Sequence, residues 1–175
     1  MKIKRIIEQL NSNKEIIKNL VQYVTQEQAV WRPSKNRWTV MEIINHLIDI
    51  EIIDFRYDFD LVLNHPEDSW PSFSIEKLRI EGKYNNREIK SSINKFLEER
   101  EKSIIWLSDL NNPDLNSLHS GQGFKGKRMK AGDVLVSWIA HDLFHIRHLT
   151  LLQWYILNEW EKPYSPRYSG FRISI

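Results

Sequence analysis

The chain has 175 residues, a formal net charge of +2 and no cysteine. That length suits one domain with a sizeable core, and the near-balanced charge argues against a nucleic-acid surface or a membrane patch. The absence of cysteine removes disulfides, thiolate ligands and cysteine nucleophiles together.

The N-terminus, Met1 to Glu8, carries charges throughout and has no apolar stretch of the kind a secretion signal needs. No run approaches the roughly 18 apolar residues of a membrane span. The expectation is one soluble, cytoplasmic domain over residues 1–175. Ile3, Ile6, Ile7, Leu10, Ile16, Ile17, Leu20, Val21 and Val24 recur at spacings of three and four, one apolar stripe of a first helix. Pro33 then forbids a continuous helix through Trp31 to Trp38. Thr39 followed by Glu42 three residues on is a capping box, and it opens a second helix running to about Asn64, before Pro66.

A loop or short helix is expected from His65 to Tyr84. A third helix opens near Asn86, passes Ile89, Ile93, Phe96, Leu97, Ile104 and Leu107, and ends before Pro113. Its charged run Glu98-Glu99-Arg100-Glu101-Lys102 reads as a solvated face. Residues 111–130 are polar and glycine-containing, an irregular connection with room for a short hairpin. Gly121-Gln122-Gly123-Phe124-Lys125-Gly126 matches a dinucleotide fingerprint by letter, but no strand precedes it and several residues separate it from the next helix. It reads as a surface loop. The fourth helix opens near Asp133 and runs past Leu157. Four helices of roughly 20 residues, each with one apolar face, make an all-α four-helix bundle the natural solution.

Histidines carry the chemistry. His141 and His145 stand four residues apart in an apolar helical pattern, so they project from one face. His148 and Leu152 continue that stripe. Several histidines on a core-facing stripe are costly to bury unless something satisfies them, and a divalent metal would. The pairs His141/His145 and His145/His148 compete, and spacing alone does not separate them. His46 shares the inward face of the second helix with Ile43, Ile50, Ile53 and Tyr57, and is the candidate third ligand. Glu42 and Asp49 flank it and could accept its non-ligating ring N–H. Trp38, Tyr57, Trp138 and His148 are candidates to wall a pocket above the metal, although tryptophans here serve first as core. His65 and His119 fall in predicted loops and read as solvated. The pattern is not a zincin, which needs glutamate directly after its first histidine. It is not a di-iron bundle either, because Glu42 and His46 miss the Glu-x-x-His spacing by one residue.

Trp31-Arg32-Pro33, Trp38-Thr39-Val40-Met41-Glu42-Ile43 and His46-Leu47-Ile48-Asp49 resemble the first motif of the DinB-like superfamily, the DinB/YfiT-like metalloenzymes. His141-Asp142-Leu143-Phe144-His145 resembles its second motif, H-x-x-x-H near the start of the last long helix. The resemblance covers nearly the whole chain. It implies a four-helix bundle with a divalent metal on His46, His141 and His145, and His148 outside the set. Many members follow the last ligand with Gly-Gln, whereas this chain has Ile146-Arg147-His148-Leu149, a departure that bears on substrate preference.

Superfamily members include thiol-dependent S-transferases using bacillithiol or mycothiol, an isomerase, and proteins with no assigned reaction. The resemblance therefore implies a small-molecule thiol cosubstrate and an electrophilic substrate. Nitrogen ligands suit Zn²⁺ or Ni²⁺, with Fe²⁺ and Mn²⁺ also within range. Since the chain has no cysteine, the cosubstrate must bring the sulfur. Hydrolysis by metal-activated water and a non-catalytic metal-binding stress module are the rival expectations, with homodimerisation through bundle faces left open.

Overall fold

The structure, a computed structural model, describes residues 3–121 and 125–170. Helix α1 (Ile3–Val21) buries Ile6, Leu10, Asn13, Ile17 and Val21, the stripe expected from its spacing. It ends one turn early, and Val24 reaches the core from the following turn. A short α2 (Gln26–Val30) follows, opened by a capping box between Thr25 and Gln28.

Thr39 and Glu42 form the expected capping box of α3 (Val40–Ile50), with Glu42 N–H donating to Thr39 Oγ1 at 3.1 Å and Thr39 N–H to Glu42 Oε2 at 2.9 Å. The rod does not stay α-helical. It passes through a π-helical turn (Glu51–Phe55) before resuming as α4 (Arg56–Asn64). Such a turn holds one residue more than an α turn and strains the carbonyl ladder. Here Arg56 Nε donates to the Glu51 carbonyl at 2.9 Å, supplying a side-chain partner where the ladder is stretched.

The region from His65 to Tyr84 contains a short α5 (Ile75–Glu81), and the third and fourth long rods are α6 (Ile89–Asp109) and α7 (Ala131–Trp160). Helix α1 packs on α6 and α7, α3 packs on α6, and α4 on α7. The four rods enclose a core that includes Leu10, Ile17, Met41, Ile44, Leu47, Phe59, Phe96, Leu107, Leu135 and Leu149. The protein is thus an all-α four-helix bundle, with no strand among the described residues and no helix among them long and apolar enough to cross a membrane.

Among the described residues, the irregular connection before α7 contains one antiparallel bridge, Leu118 with Lys130. The centre of the Gly121–Gly126 motif, residues 122–124, lies outside the described residues. The connection is tied to the α4–α5 loop. Ser120 N–H and Oγ both reach the Pro66 carbonyl at 2.8 Å. His119, expected in solvent, is fully buried with Nε2 2.8 Å from the Asp68 carbonyl oxygen and its ring edge-on to Trp70. A loop histidine is buried here because two loops pack on each other, which local sequence does not report.

Candidate metal centre

His46 comes from α3, and His141 and His145 from successive turns of α7. Their Nε2 atoms converge. Both His46 and His145 present Nε2 3.2 Å from Nε2 of His141, and the potential ligand atoms all lie within 4.8 Å of one another. Burial holds all three rings neutral. It pushes His46 down to about 3, with the nearby His141 adding to the effect, and His141 to about 4. His145 is also shifted well down, by burial first and then by the other histidines. Neutral imidazoles are the form that ligates metals. Three nitrogen donors aimed at one point, kept uncharged and without other partners at those atoms among the described residues, fit a divalent cation.

Packing sets the ring orientations. Trp38 lies edge-on to His46 with centroids 5.2 Å apart, and Phe55 is 5.4 Å from His141. The Nδ1 atoms of His141 and His145 are buried without a hydrogen-bond partner among the described residues. The carboxylates expected to orient His46 turn elsewhere, which corrects the reading of Glu42 and Asp49. Glu42 Oε1 takes Arg32 Nη2 and Arg79 Nη1 at 2.6 Å each, and Asn85 Nδ2 at 3.1 Å. Burial favours its neutral form, but Arg32, Thr39 and Arg79 outweigh that and hold the carboxyl below its ordinary value. Asp49 accepts the hydroxyl of Tyr84. Glu42 therefore fastens the Trp31–Trp38 turn and α5 to the start of α3, which places Trp38 beside the site.

The histidines open into a cavity of about 460 Å³ walled by Trp38, Ile75, Phe144, Leu151, Leu152 and Tyr155, with Arg37 and His148 also on its lining. Of the residues proposed for the wall, Trp38 and His148 are there. His148 stands beside the cluster, its ring centroid 5.8 Å from that of His145 and 4.2 Å from that of Phe144.

Tyr57 is not in the wall; it is half exposed. The π-helical turn explains this. One extra residue lets the helical phase lag by about one position, so Ile53 and Tyr57 rotate away and Asp54 moves into the lining. Trp138 is not in the wall either. It is buried beneath the site, stacked on Phe55 at 5.4 Å, and its Nε1 donates to Glu51 at 2.8 Å.

Beneath the histidines lies an ionic network that the charge pattern concealed. Arg100, read as solvated, is fully buried. Its Nη1 and Nη2 grip the two oxygens of Asp142 at 2.7 Å each, and its Nε donates to Glu51 Oε1 at 2.8 Å. Ser103 Oγ donates to Glu51 at 2.6 Å and Asn13 Nδ2 to Asp142 at 3.1 Å. The available signal was spacing, since Ile93, Phe96, Arg100, Ser103 and Leu107 form one stripe at intervals of three and four. Asp142 directly follows His141, so this network anchors the helix at the turn that presents it.

An all-helical bundle with three histidines converging from two rods, His46 and His145 buried and His141 half-buried, defines a class of potential metal-site proteins. The chain belongs to the DinB superfamily, whose family model matches residues 9–149. Among solved structures it is similar to YfiT from Bacillus subtilis, described as a probable metal-dependent hydrolase with an unusual four-helix bundle topology. That likeness has a TM-score of 0.74 at 16% identity, covering 98% of this chain and 89% of the other. No curated protein matches the sequence.

Proposed function

We propose that this chain is a metal-dependent enzyme that activates a small-molecule nucleophile, a thiol in the first reading, for attack on an electrophilic substrate. The observation that carries it is the convergence of three neutral histidine Nε2 atoms in the lining of a mostly apolar cavity. His46, His141 and His145 would hold the ion, and nitrogen donors suit Zn²⁺ or Ni²⁺, with Fe²⁺ or Mn²⁺ also compatible. A divalent ion bound there supplies Lewis acidity, lowering the pKa of a coordinated thiol or water so that a nucleophile is available near neutral pH.

The protein's own residues do the rest. Trp38, Phe144, Leu151 and Leu152 offer an apolar wall for an uncharged electrophile and keep bulk water from competing. Arg37 and His148 give that lining a polar edge for the hydrophilic part of a cosubstrate. Because the chain has no cysteine, the sulfur comes from the cosubstrate.

Hydrolysis is the second reading. A carboxyl group in the cavity wall, Asp54, and the description of YfiT both favour it. Turnover of the metal-loaded protein with bacillithiol, mycothiol or glutathione and a panel of epoxides, halides and activated alkenes tests the first reading. Thiol-dependent product is expected. Hydrolysis of activated esters without thiol would move the assignment to the second reading, and silence in both assays would leave a non-catalytic metal-binding module.

A further inference from the structure

We propose that Asp54 and Asp58 share one proton at neutral pH and together act as the proton acceptor of the three-histidine cavity. This rests on the functional reading above and extends it to a particular pair of side chains. The two lie four residues apart at the junction of the π-helical turn with α4, so they share one helix face. Asp54 lines the cavity with His46, His141 and His145. Asp58 is 5% exposed, its Oδ1 is without a hydrogen-bond partner among the described residues, and its carboxyl group is hydrogen-bonded to that of Asp54.

Two carboxylates cannot both ionise cheaply at such range. Burial pushes Asp58 up to about 8, with the neighbouring Asp54 charge adding to it, and burial raises Asp54 as well. At pH 7 one proton therefore sits between them, carried by Asp58 and donated to Asp54. Asp54 is the member of the pair on the cavity side.

Asp54 is the one carboxyl group among the described residues that line the cavity. Among the described residues, the cavity's other titratable or charged groups are His46 on the same rod, Arg37 from the turn, and His141, His145, His148 and Tyr155 on α7. The three clustered histidines are committed to the metal, and Arg37 is a permanent cation. The nearby acids Glu51 and Glu99 are held in ion pairs with Arg100 and Arg56 respectively. The π-helical turn is what brings the pair in, since an unbroken α-helix would present Ile53 and Tyr57 instead. Such turns recur at functional sites.

The proton balance is simple. The S–H or O–H bond of the nucleophile breaks, its electron pair stays on sulfur or oxygen, and the Asp54 carboxylate takes the proton. That electron pair forms the new bond to the electrophilic carbon as the bond to the departing atom breaks, and the departing atom takes a proton back from the pair, which restores the singly protonated state.

Infrared difference spectroscopy of the full chain tests this without turnover. At pH 7 the metal-free protein should show the C=O stretch of one neutral carboxyl group, lost in both Asp58→Asn and Asp54→Asn and kept in His145→Ala. Adding zinc should lower the midpoint at which that band disappears, because a nearby cation favours carboxylate, and His145→Ala should remove this shift. Absence of the band from the wild type at pH 7, or its survival in both aspartate variants, would overturn the proposal. So would a midpoint unmoved by stoichiometrically bound zinc. Failure of zinc to bind while the band persists would instead overturn the functional reading beneath it.

Discussion

Each of the three converging histidines costs stability when it gains a proton. His46 and His141 are held near 3 and 4 by burial, against about 6.5 in an unfolded chain. Between those values the unfolded state binds more protons at these rings than the folded one, and three such rings outweigh the single proton that the Asp54–Asp58 pair keeps in the folded state, so stability must fall as pH falls. Metal-free protein should therefore show a urea midpoint that drops progressively from about pH 6.5 towards pH 4, and His145→Ala should flatten the slope. A wild-type midpoint that stays level across this window would mean that the rings are solvated. At this scale the ligand candidates were legible because histidine on an apolar stripe is conspicuous. Their surroundings were not. Glu42 and Asp49 flank His46 in sequence, yet their charges are taken by Arg32, Arg79 and Tyr84, partners that only the folded turn and α5 deliver.

The rods illustrate what periodicity can and cannot carry. Long segments with apolar residues every three or four positions were readable, as was the Thr39–Glu42 start of α3, because both depend on local geometry. The π-helical turn was invisible to a wheel that assumes one period, and it decides that Asp54 rather than Tyr57 faces the cavity. Arg100 was hidden by its charged neighbours although its spacing matched the apolar stripe of α6. Its removal leaves Glu51 and Asp142 buried without their counter-charge, a situation that typically costs about 3–5 kcal/mol. Arg100→Met should lower unfolding free energy by that order, measured by urea denaturation at pH 7. A loss below about 1 kcal/mol would show that water reaches the network.

Across the molecule, the proposed metal ties together two rods whose ligands lie 95 residues apart in sequence, His46 on α3 and His141 on α7. An ion that binds only the folded bundle stabilises it by mass action, about 2.7 kcal/mol at a free concentration 100 times its Kd. The melting temperature should accordingly climb with zinc concentration in the wild type and stay fixed in His145→Ala. A rise of equal size in both would place the binding elsewhere. The bundle itself was legible from four apolar stripes, while the clasp of His119 and Ser120 on the α4–α5 loop was not, since contact between two irregular segments leaves no periodic trace. The most direct measurement is metal content after chelation and reloading with zinc, taken on the wild type and on single alanine variants of His46, His141, His145 and His148. One zinc per chain is expected in the wild type and in His148→Ala, with stoichiometric binding lost in the other three. Stoichiometric zinc surviving in His46→Ala and His145→Ala, or lost in His148→Ala alone, would contradict the three-histidine centre.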